Sequence, residues 1–302
     1  MTTVNYSASL RANLSDYVGL MKPAIAILNV FVGVATMLLA VTFGFQLAIP
    51  LLLVILAGYL SAAGAGALNC FLERRLDAQM NRTRGRPLPS GRISANGALI
   101  LGLGCSISGV ALAMIWLNTL TAVFIGMGIF WYVAVYTLWV KPRTKWNIVI
   151  GGAAGSFSAL AGWAAVTGSI SLVGFLVAVL IFLWTPGHFW GLAIAKAKEY
   201  AKIQVPMLPV VDGPQRTAVY TALSNVALFP FTLGLFALTA YGGNLYAAII
   251  LGSFLVAFNG WFLIANLRMI KDPRSVNAWR VFKMSTSYLF VVLLLVVMAH
   301  FI

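Results

Sequence analysis

The sequence predicts an all-α, polytopic membrane protein with nine transmembrane helices. Of the 302 residues, 61% are hydrophobic and 9% are charged, and several apolar runs reach the roughly 20 residues that a helix needs to cross a bilayer core. The charged residues are confined to short segments between these runs. In order, the predicted spans are residues 24–43, 48–68, 95–115, 120–139, 147–167, 172–194, 218–240, 245–266 and 283–302.

The placement of Lys and Arg supports this count, because cytoplasmic loops retain basic residues and translocated loops lack them. With nine spans, one side of the membrane receives the N-terminal tail and the loops after spans 2, 4, 6 and 8. These segments, together with the first residue of span 9, contain all 20 Lys and Arg. The opposite loops, near residues 44–46, 118, 168 and 242–244, contain none. We therefore expect a cytoplasmic N-terminal segment, residues 1–22, and a single intramembrane domain, residues 23–302, whose C-terminus lies on the far side.

The net charge of +14 has a simple explanation, because basic cytoplasmic loops orient a membrane protein and meet anionic lipid headgroups. Membrane lipids are thus expected partners, and no nucleic acid is expected. The first 22 residues lack the apolar core of a cleavable signal, which favours a bacterial or archaeal plasma (inner) membrane. The charge pattern does not explain why all six acids also lie on the predicted cytoplasmic side.

Two of these acids belong to a polar stripe at the end of span 2. If the helix continues beyond the span, Asn69, Glu73 and Asp77 recur every four residues and share a face of roughly 80° over about 12 Å. Carboxylate and amide oxygens are ligands suited to Mg²⁺, which usually binds one or two carboxylates, waters and substrate phosphates. The alternative is that the two carboxylates pair with Arg74 and Arg75 or cap the helix end.

The loop that follows the stripe is rich in arginine. Guanidinium groups bind phosphate oxygens in bidentate fashion, so metal-binding acids and phosphate-binding cations would share one region. Prolines stop the helix here, and glycines permit a tight return over the membrane surface. A solvated, orienting loop is the alternative. The arginines concerned are Arg82, Arg84, Arg86 and Arg92.

Two further polar clusters follow spans that run toward the same side. Tyr136 and Lys141 lie at the end of span 4, and His188 lies in the last turns of span 6, before Glu199 and Tyr200. An ionisable side chain at membrane depth is a functional candidate, although a histidine hydrogen-bonded between helices is the simpler alternative for His188. The glycine-rich run at residues 151–163 is explained by close helix packing, and both cysteines are interpreted as packing residues.

These clusters resemble the motifs of the UbiA prenyltransferase superfamily. NCFLERRLDAQMNRTRGRPLPSG (residues 69–91) is similar to its N-x-x-x-[DE]-x-x-x-D signature. The continuation M-x-R-T-x-x-R-P-L resembles the branch that farnesylates protoheme IX. Two later stretches also resemble motifs of this branch: YTLWVKPRTKWN (136–147) and WTPGHFWGLAIAKAKEYAKIQVPMLPVV (184–211). The resemblance covers roughly residues 15–300.

The resemblance implies nine helices around a central cavity that opens to the cytoplasm and binds a prenyl diphosphate through Mg²⁺. Farnesyl diphosphate and heme B are the implied substrates, heme O and diphosphate the products, and a heme A synthase or terminal oxidase an expected partner. By motif match the metal-diphosphate ligands are Asn69, Glu73 and Asp77; the phosphate contacts are Arg82, Arg86 and Lys141; and the remaining site residues are Tyr136, His188, Glu199 and Tyr200.

The sequence departs from the branch pattern at three points. Glu73 stands where many members have Asp, and Gly187 stands where proline usually precedes the histidine. Glu199 is the only acid of the second acidic motif and lies among lysines, which argues against a second metal there.

Two alternative functions remain open. One is prenyl transfer to an aromatic quinone precursor or a lipid acceptor, and the other is anion transport. Transport requires access from both sides of the membrane, and the far-side loops carry no charged residue. Prenyl transfer also matches the chemistry of the residues, because fixed cations and Mg²⁺ stabilise the charge that develops on a departing diphosphate.

Overall fold

The computed structural model describes residues 13–41 and 47–302, and within these ranges the chain contains helices and no strand. The helices, in order, are α1 (Leu14–Leu20), α2 (Pro23–Leu38), α3 (Ala48–Asp77), α4 (Ala95–Trp116), α5 (Thr119–Phe130), a π-helical segment (Trp131–Val140), α6 (Asn147–Gly151), α7 (Ala153–Thr167), α8 (Leu172–Ala195), α9 (Ala197–Lys202), α10 (Leu208–Val211), α11 (Gly213–Thr239), α12 (Leu245–Lys271) and α13 (Ser275–His300).

The prediction of nine spans is confirmed for the described part of the chain. Eight helical stretches are long and apolar enough to cross a membrane, and the number is nine when the bent pair α1–α2 is counted as one span. α5 with the π-helical segment forms one such stretch, and α6 with α7 forms another. The main difference in boundaries is that α3 continues nine residues beyond the predicted end of span 2. The end of span 1 and the loop predicted at residues 44–46 lie outside the described residues.

The chain bends by 54° between α1 and α2. Lys22, at the bend, has a left-handed backbone with φ of 51°, and Pro23 follows it. A residue before proline is disfavoured in the α conformation, while proline itself is well suited to the first position of a helix. The sequence Lys-Pro thus ends one helix and begins the next. α1 is short but well capped, since the side chain of Asn13 and the N-terminal turn of α1 form a capping box.

Small residues allow the helices to approach closely around the site. A Cβ atom added at Gly102 of α4 would lie 2.8 Å from the side chain of Leu68 on α3. Gly162 of α7 lies directly against the backbone of Gly33 on α2. The predicted packing role of the glycine-rich run at residues 151–163 is therefore confirmed, since four of its glycines face side chains or backbone of neighbouring helices.

Gly187, which departs from the branch pattern, also has a packing role. A Cβ atom at this position of α8 would collide with the side-chain amide of Asn225 on α11. Asn225 is fully buried and donates a hydrogen bond of 2.8 Å to Asn266 on α12. Glycine at position 187 therefore leaves room for a buried amide pair that joins α11 to α12.

Candidate functional site

The polar stripe predicted at the end of span 2 exists. Because α3 extends to Asp77, the side chains of Asn69, Glu73 and Asp77 share one face of the helix. All three are buried, with relative exposures of 2%, 8% and 5%. Each lines the same cavity of about 440 Å³. The stripe therefore faces an internal space rather than solvent at the helix end.

Each oxygen-bearing group of the stripe contacts a cation from another part of the chain. The Lys22 ammonium donates to Asn69 Oδ1, and the Lys141 ammonium forms an ion pair with Glu73. The Arg86 guanidinium donates to Asp77 Oδ2 at 2.8 Å. The suggested pairing with Arg74 and Arg75 is not what the structure contains.

The alternative fails because the two neighbouring arginines point elsewhere. Arg74 donates to the carbonyl of Phe71 at 2.6 Å and its guanidinium lies over the Phe71 ring. Arg75 is exposed on the opposite side of α3. Successive residues on a helix are about 100° apart, so Arg75 lies on the face opposite Glu73 and Asp77. Arg74 lies three residues before Asp77, but its guanidinium is engaged with Phe71.

Lys22 is a site residue that the sequence analysis missed. Its left-handed backbone at the α1–α2 bend directs the ammonium into the cavity, where it also contacts the Tyr132 hydroxyl at 3.3 Å. The only sequence signal is a lysine followed by proline just before the first span. A basic residue at that place is already explained by the orientation of the protein, so the signal was not recognised.

The π-helical segment positions the next group of side chains. Thr137 accepts a hydrogen bond of 2.9 Å from Asn69 Nδ2, and its own hydroxyl donates to the carbonyl of Tyr132 at 2.8 Å. The rings of Tyr132 and Tyr136 stack with centroids 5.9 Å apart, and the Lys141 ammonium lies 5.8 Å from the Tyr136 centroid. Asn69 is thus oriented through both ends of its amide, and Tyr136 supports Lys141.

The arginine-rich loop, residues 78–94, folds back over the stripe. Thr83 donates to the carbonyl of Asp77 at 2.8 Å, which holds the start of the loop against α3. At its far end, Arg92 donates to Asp16 of α1 at 2.8 Å and to the carbonyl of Gly85 at 3.1 Å. Arg82 and Arg86 line the cavity, whereas Arg84 and Arg92 do not. The loop therefore delivers two of its four predicted arginines to the site.

Glu199 and Tyr200, on α9, contact the same region in different ways. Tyr200 is buried and lines the cavity, while Glu199 lies beside it at the surface. Glu199 accepts from the Arg82 backbone amide at 3.3 Å and from Lys196 at 3.0 Å. Partial burial alone would raise the pKa of the Glu199 carboxyl, but the hydrogen bonds from Lys196 and Arg82 hold it below its ordinary value. Glu199 thus contacts the arginine-rich loop rather than the stripe.

His188 lies in the cavity wall, held between two aromatic rings. Its ring centroid is 4.2 Å from that of Trp184 and 4.5 Å from that of Phe282 on α13. Trp184 is itself fixed by a hydrogen bond of 2.9 Å to the carbonyl of Ser285. His188 Nδ1 is buried and has no hydrogen-bond partner in the part of the chain that the structure describes. The simple alternative of a hydrogen-bonded structural histidine is therefore not supported for this nitrogen.

The donor set fits a magnesium ion that shares its coordination with a substrate. Within residues 13–41 and 47–302 no three His, Cys, Asp or Glu side chains form a closed metal cluster. Two carboxylates and an amide oxygen on one face are few ligands for a protein-only site. They are sufficient for Mg²⁺, which commonly keeps waters and takes phosphate oxygens from its substrate.

Comparisons with known proteins agree with this geometry. Residues 27–299 match the UbiA prenyltransferase family. Protoheme IX farnesyltransferase 1 of Cenarchaeum symbiosum is 44% identical over 236 residues, which cover 78% of this chain and 77% of the relative. The protoheme IX farnesyltransferase of Sulfurisphaera tokodaii is 37% identical over 297 residues, covering 97% and 96% of the two chains. The chain spans half the length of a further relative, from Roseiflexus castenholzii.

A solved structure shows the same fold. It is that of a UbiA homolog from Archaeoglobus fulgidus bound to DMAPP and Mg²⁺, with a TM-score of 0.67 and 16% identity, covering 92% of this chain and 99% of the other. At this identity the likeness concerns the fold alone. The sequence match over nearly the whole chain, together with this fold, shows that the chain belongs to the UbiA prenyltransferase family.

Proposed function

We propose that this protein transfers the farnesyl group of farnesyl diphosphate to a vinyl group of protoheme IX (heme B), with addition of water, to give heme O and diphosphate. The observation that carries the proposal is the buried stripe of Asn69, Glu73 and Asp77 facing Lys22, Lys141 and Arg86 in one cavity. The names of the relatives supply the acceptor. The site is proposed to face the cytoplasm from the plasma membrane.

The diphosphate is proposed to bind among the cations. In the described structure these cations contact Asn69, Glu73 and Asp77. The negatively charged oxygens of a bound diphosphate can replace these contacts. Mg²⁺, held by Asn69, Glu73 and Asp77, would neutralise charge on the diphosphate as it leaves. Arg82 and Arg86, carried by the loop, provide further contacts with phosphate oxygens.

The reaction breaks the bond between the allylic carbon and the diphosphate oxygen and forms a carbon–carbon bond to the terminal vinyl carbon. The electron pair of the broken bond leaves with the diphosphate, where Lys22, Lys141 and Arg86 stabilise it. The remaining vinyl carbon becomes cationic and takes up a water oxygen, which then loses a proton. Apolar wall residues such as Ile148, Ile181 and Phe189 limit competing attack by water on the farnesyl cation.

His188 is proposed to serve the acceptor rather than the diphosphate. It lies in the same cavity wall but is flanked by aromatic rings, which suit a flat porphyrin, rather than by cations. Its imidazole can ligate the heme iron, orient the porphyrin, or accept the proton released by the added water. All three roles predict that loss of the imidazole spoils the reaction without weakening diphosphate binding.

The test uses purified protein with heme B, farnesyl diphosphate and Mg²⁺, followed by chromatography and mass analysis of the porphyrin. The expected product is heavier than heme B by one farnesyl group and one hydroxyl. His188→Ala is expected to abolish it while the affinity for farnesyl diphosphate is retained. His300→Ala, at the other end of the bundle, is the matched control and should keep full activity.

A second experiment compares the turnover of Arg86→Gln with that of Arg75→Gln. Arg75 is the control because it lies near the end of α3, close in sequence to Arg86, and is exposed. Only the first variant should lose turnover. Unmodified heme B together with prenylation of an aromatic quinone precursor would refute the acceptor and leave prenyl transfer standing. Equal loss in both arginine variants would refute the proposed diphosphate site.

A further inference from the structure

The cavity wall has a seam between α2 and α13. Ile25 and Leu28 of α2 line the cavity on one side of this seam, and Phe282 and Leu289 of α13 line it on the other. Farther along both helices, α2 and α13 are joined by a ring stack between Phe31 and Phe290, with centroids 4.7 Å apart. The stack closes the seam at depth, and the stretch between it and the N-terminal ends of the two helices borders the cavity.

Lys283 follows the cavity-lining residue Phe282 on α13 and lies on the side of the helix that carries Phe290. It precedes Phe290 by seven residues, which is about two helical turns and returns to nearly the same face. Lys283 is exposed, and its side chain forms no hydrogen bond or ion pair within the described residues. An unpaired ammonium within a predicted membrane span is a functional candidate. The simpler alternative is a lysine that extends to lipid headgroups.

An aromatic wall connects the cavity with this face. The His188 ring stacks on Phe282, and Phe282 stacks on Trp279 with centroids 5.1 Å apart. Trp279 is 37% exposed and lies one turn before Lys283 on the same face. A series of parallel rings thus leads from the cavity to the position of Lys283. The edges of these stacked rings form an apolar surface beside the cavity, which suits a largely apolar ligand with an anionic group at its outer edge.

Protoheme IX has this distribution of polarity. Its two propionate carboxylates lie on one edge of the macrocycle and its vinyl groups lie toward the opposite side. Carrying unpaired carboxylates into an apolar cavity is costly, whereas the vinyl edge enters without that cost. The reacting vinyl group must also face the proposed diphosphate site at Asn69 and Glu73, which line the same cavity.

We propose that Lys283 binds a propionate of the porphyrin at the outer end of the α2–α13 seam and so turns the vinyl edge toward the diphosphate. This inference rests on the proposed function, since it takes heme B as the acceptor. It assigns to Lys283 a role in selecting and orienting the acceptor, distinct from the diphosphate contacts of Lys22 and Lys141.

The experiment measures heme binding without prenyl diphosphate, so that it does not depend on turnover. Protein in nanodiscs of phosphatidylcholine, which carries no net charge, is titrated with heme B and, separately, with heme B dimethyl ester, and binding is followed by the Soret band. Lys283→Gln is expected to weaken binding of heme B about fivefold, the upper end of the range for an exposed ion pair. It should leave binding of the dimethyl ester unchanged, and Lys283→Arg should restore heme B binding.

Lys271→Gln removes an exposed lysine from the end of α12 and serves as the matched control, with no expected effect on either ligand. Unchanged heme B affinity in Lys283→Gln would overturn the inference and identify Lys283 as a headgroup contact. Equal weakening of both ligands would also overturn it, because the lost interaction would then not involve the carboxylate. Failure of the unsubstituted protein to bind heme B at all would instead refute the proposed function.

Discussion

The buried pair of Glu73 and Lys141 gives the sharpest prediction about the energetics of the site. The side chains are 10% and 14% exposed, so neither charge is well solvated when its partner is removed. Lys141→Met therefore leaves Glu73 as a buried carboxylate without its main cation. Breaking a buried ion pair on one side typically costs about 3–5 kcal/mol. We expect about 2–3 kcal/mol here, because Lys22 also lies close enough to Glu73 to interact electrostatically.

The assay is a double-mutant cycle on thermal unfolding of the purified protein in detergent. Lys141→Met and Glu73→Gln should each destabilise the protein, and the loss in the double variant should be smaller than the sum of the two single losses by a coupling free energy of about 1–2 kcal/mol. All three variants should lack turnover, so the coupling cannot be attributed to a restored site. Strictly additive losses would refute the reasoning, since they would mean that the two groups do not depend on each other for charge compensation.

Three further outcomes follow from the same geometry. Asp77→Asn and Asn69→Ala should each abolish turnover while the protein still folds, because each weakens a ligand of the proposed metal site; near wild-type turnover at limiting Mg²⁺ would show that the stripe is structural. Lys22→Met should raise the KM for farnesyl diphosphate by about tenfold, the value of one charged hydrogen bond, and an unchanged KM in steady-state kinetics would exclude Lys22 from the diphosphate site. In a chain without its native cysteines, Tyr241→Cys, at a position 91% exposed, should react with an impermeant thiol reagent in sealed cells and Ser90→Cys should not; the reverse result would invert the proposed orientation.

The sequence predicted the parts of the site that depend on local geometry. The four-residue spacing of Asn69, Glu73 and Asp77 places them on one helical face wherever α3 lies in the fold. The nine spans likewise follow from the length of each apolar run and from the side on which the basic residues fall. These features require no knowledge of which helices are neighbours.

The partners of these residues could not be predicted in the same way. Asn69 contacts a lysine 47 residues away, and Glu73 contacts one 68 residues away, so both contacts depend on tertiary packing. The sequence left open a pairing with the nearby Arg74 and Arg75, but Arg74 bonds to Phe71 and Arg75 is exposed. The ring that covers His188, Phe282, comes from the last helix. Pairings between distant segments leave little trace in a single sequence.

The π-helical segment has a consequence for how this site can change. In it the carbonyl of Tyr136 accepts from the amide of Lys141, five residues later, at 2.9 Å, one residue more than in an α-helical turn. If the same residues adopted ordinary α-helical bonding, the segment would contain one residue more than the α-helical turn accommodates, and Lys141 would move about 100° around the helix axis. The side chain that meets Glu73 would then point away from it, although no residue of the site had been replaced. The direction of this cation is thus determined by the hydrogen-bonding pattern of the segment as much as by the identity of its residues.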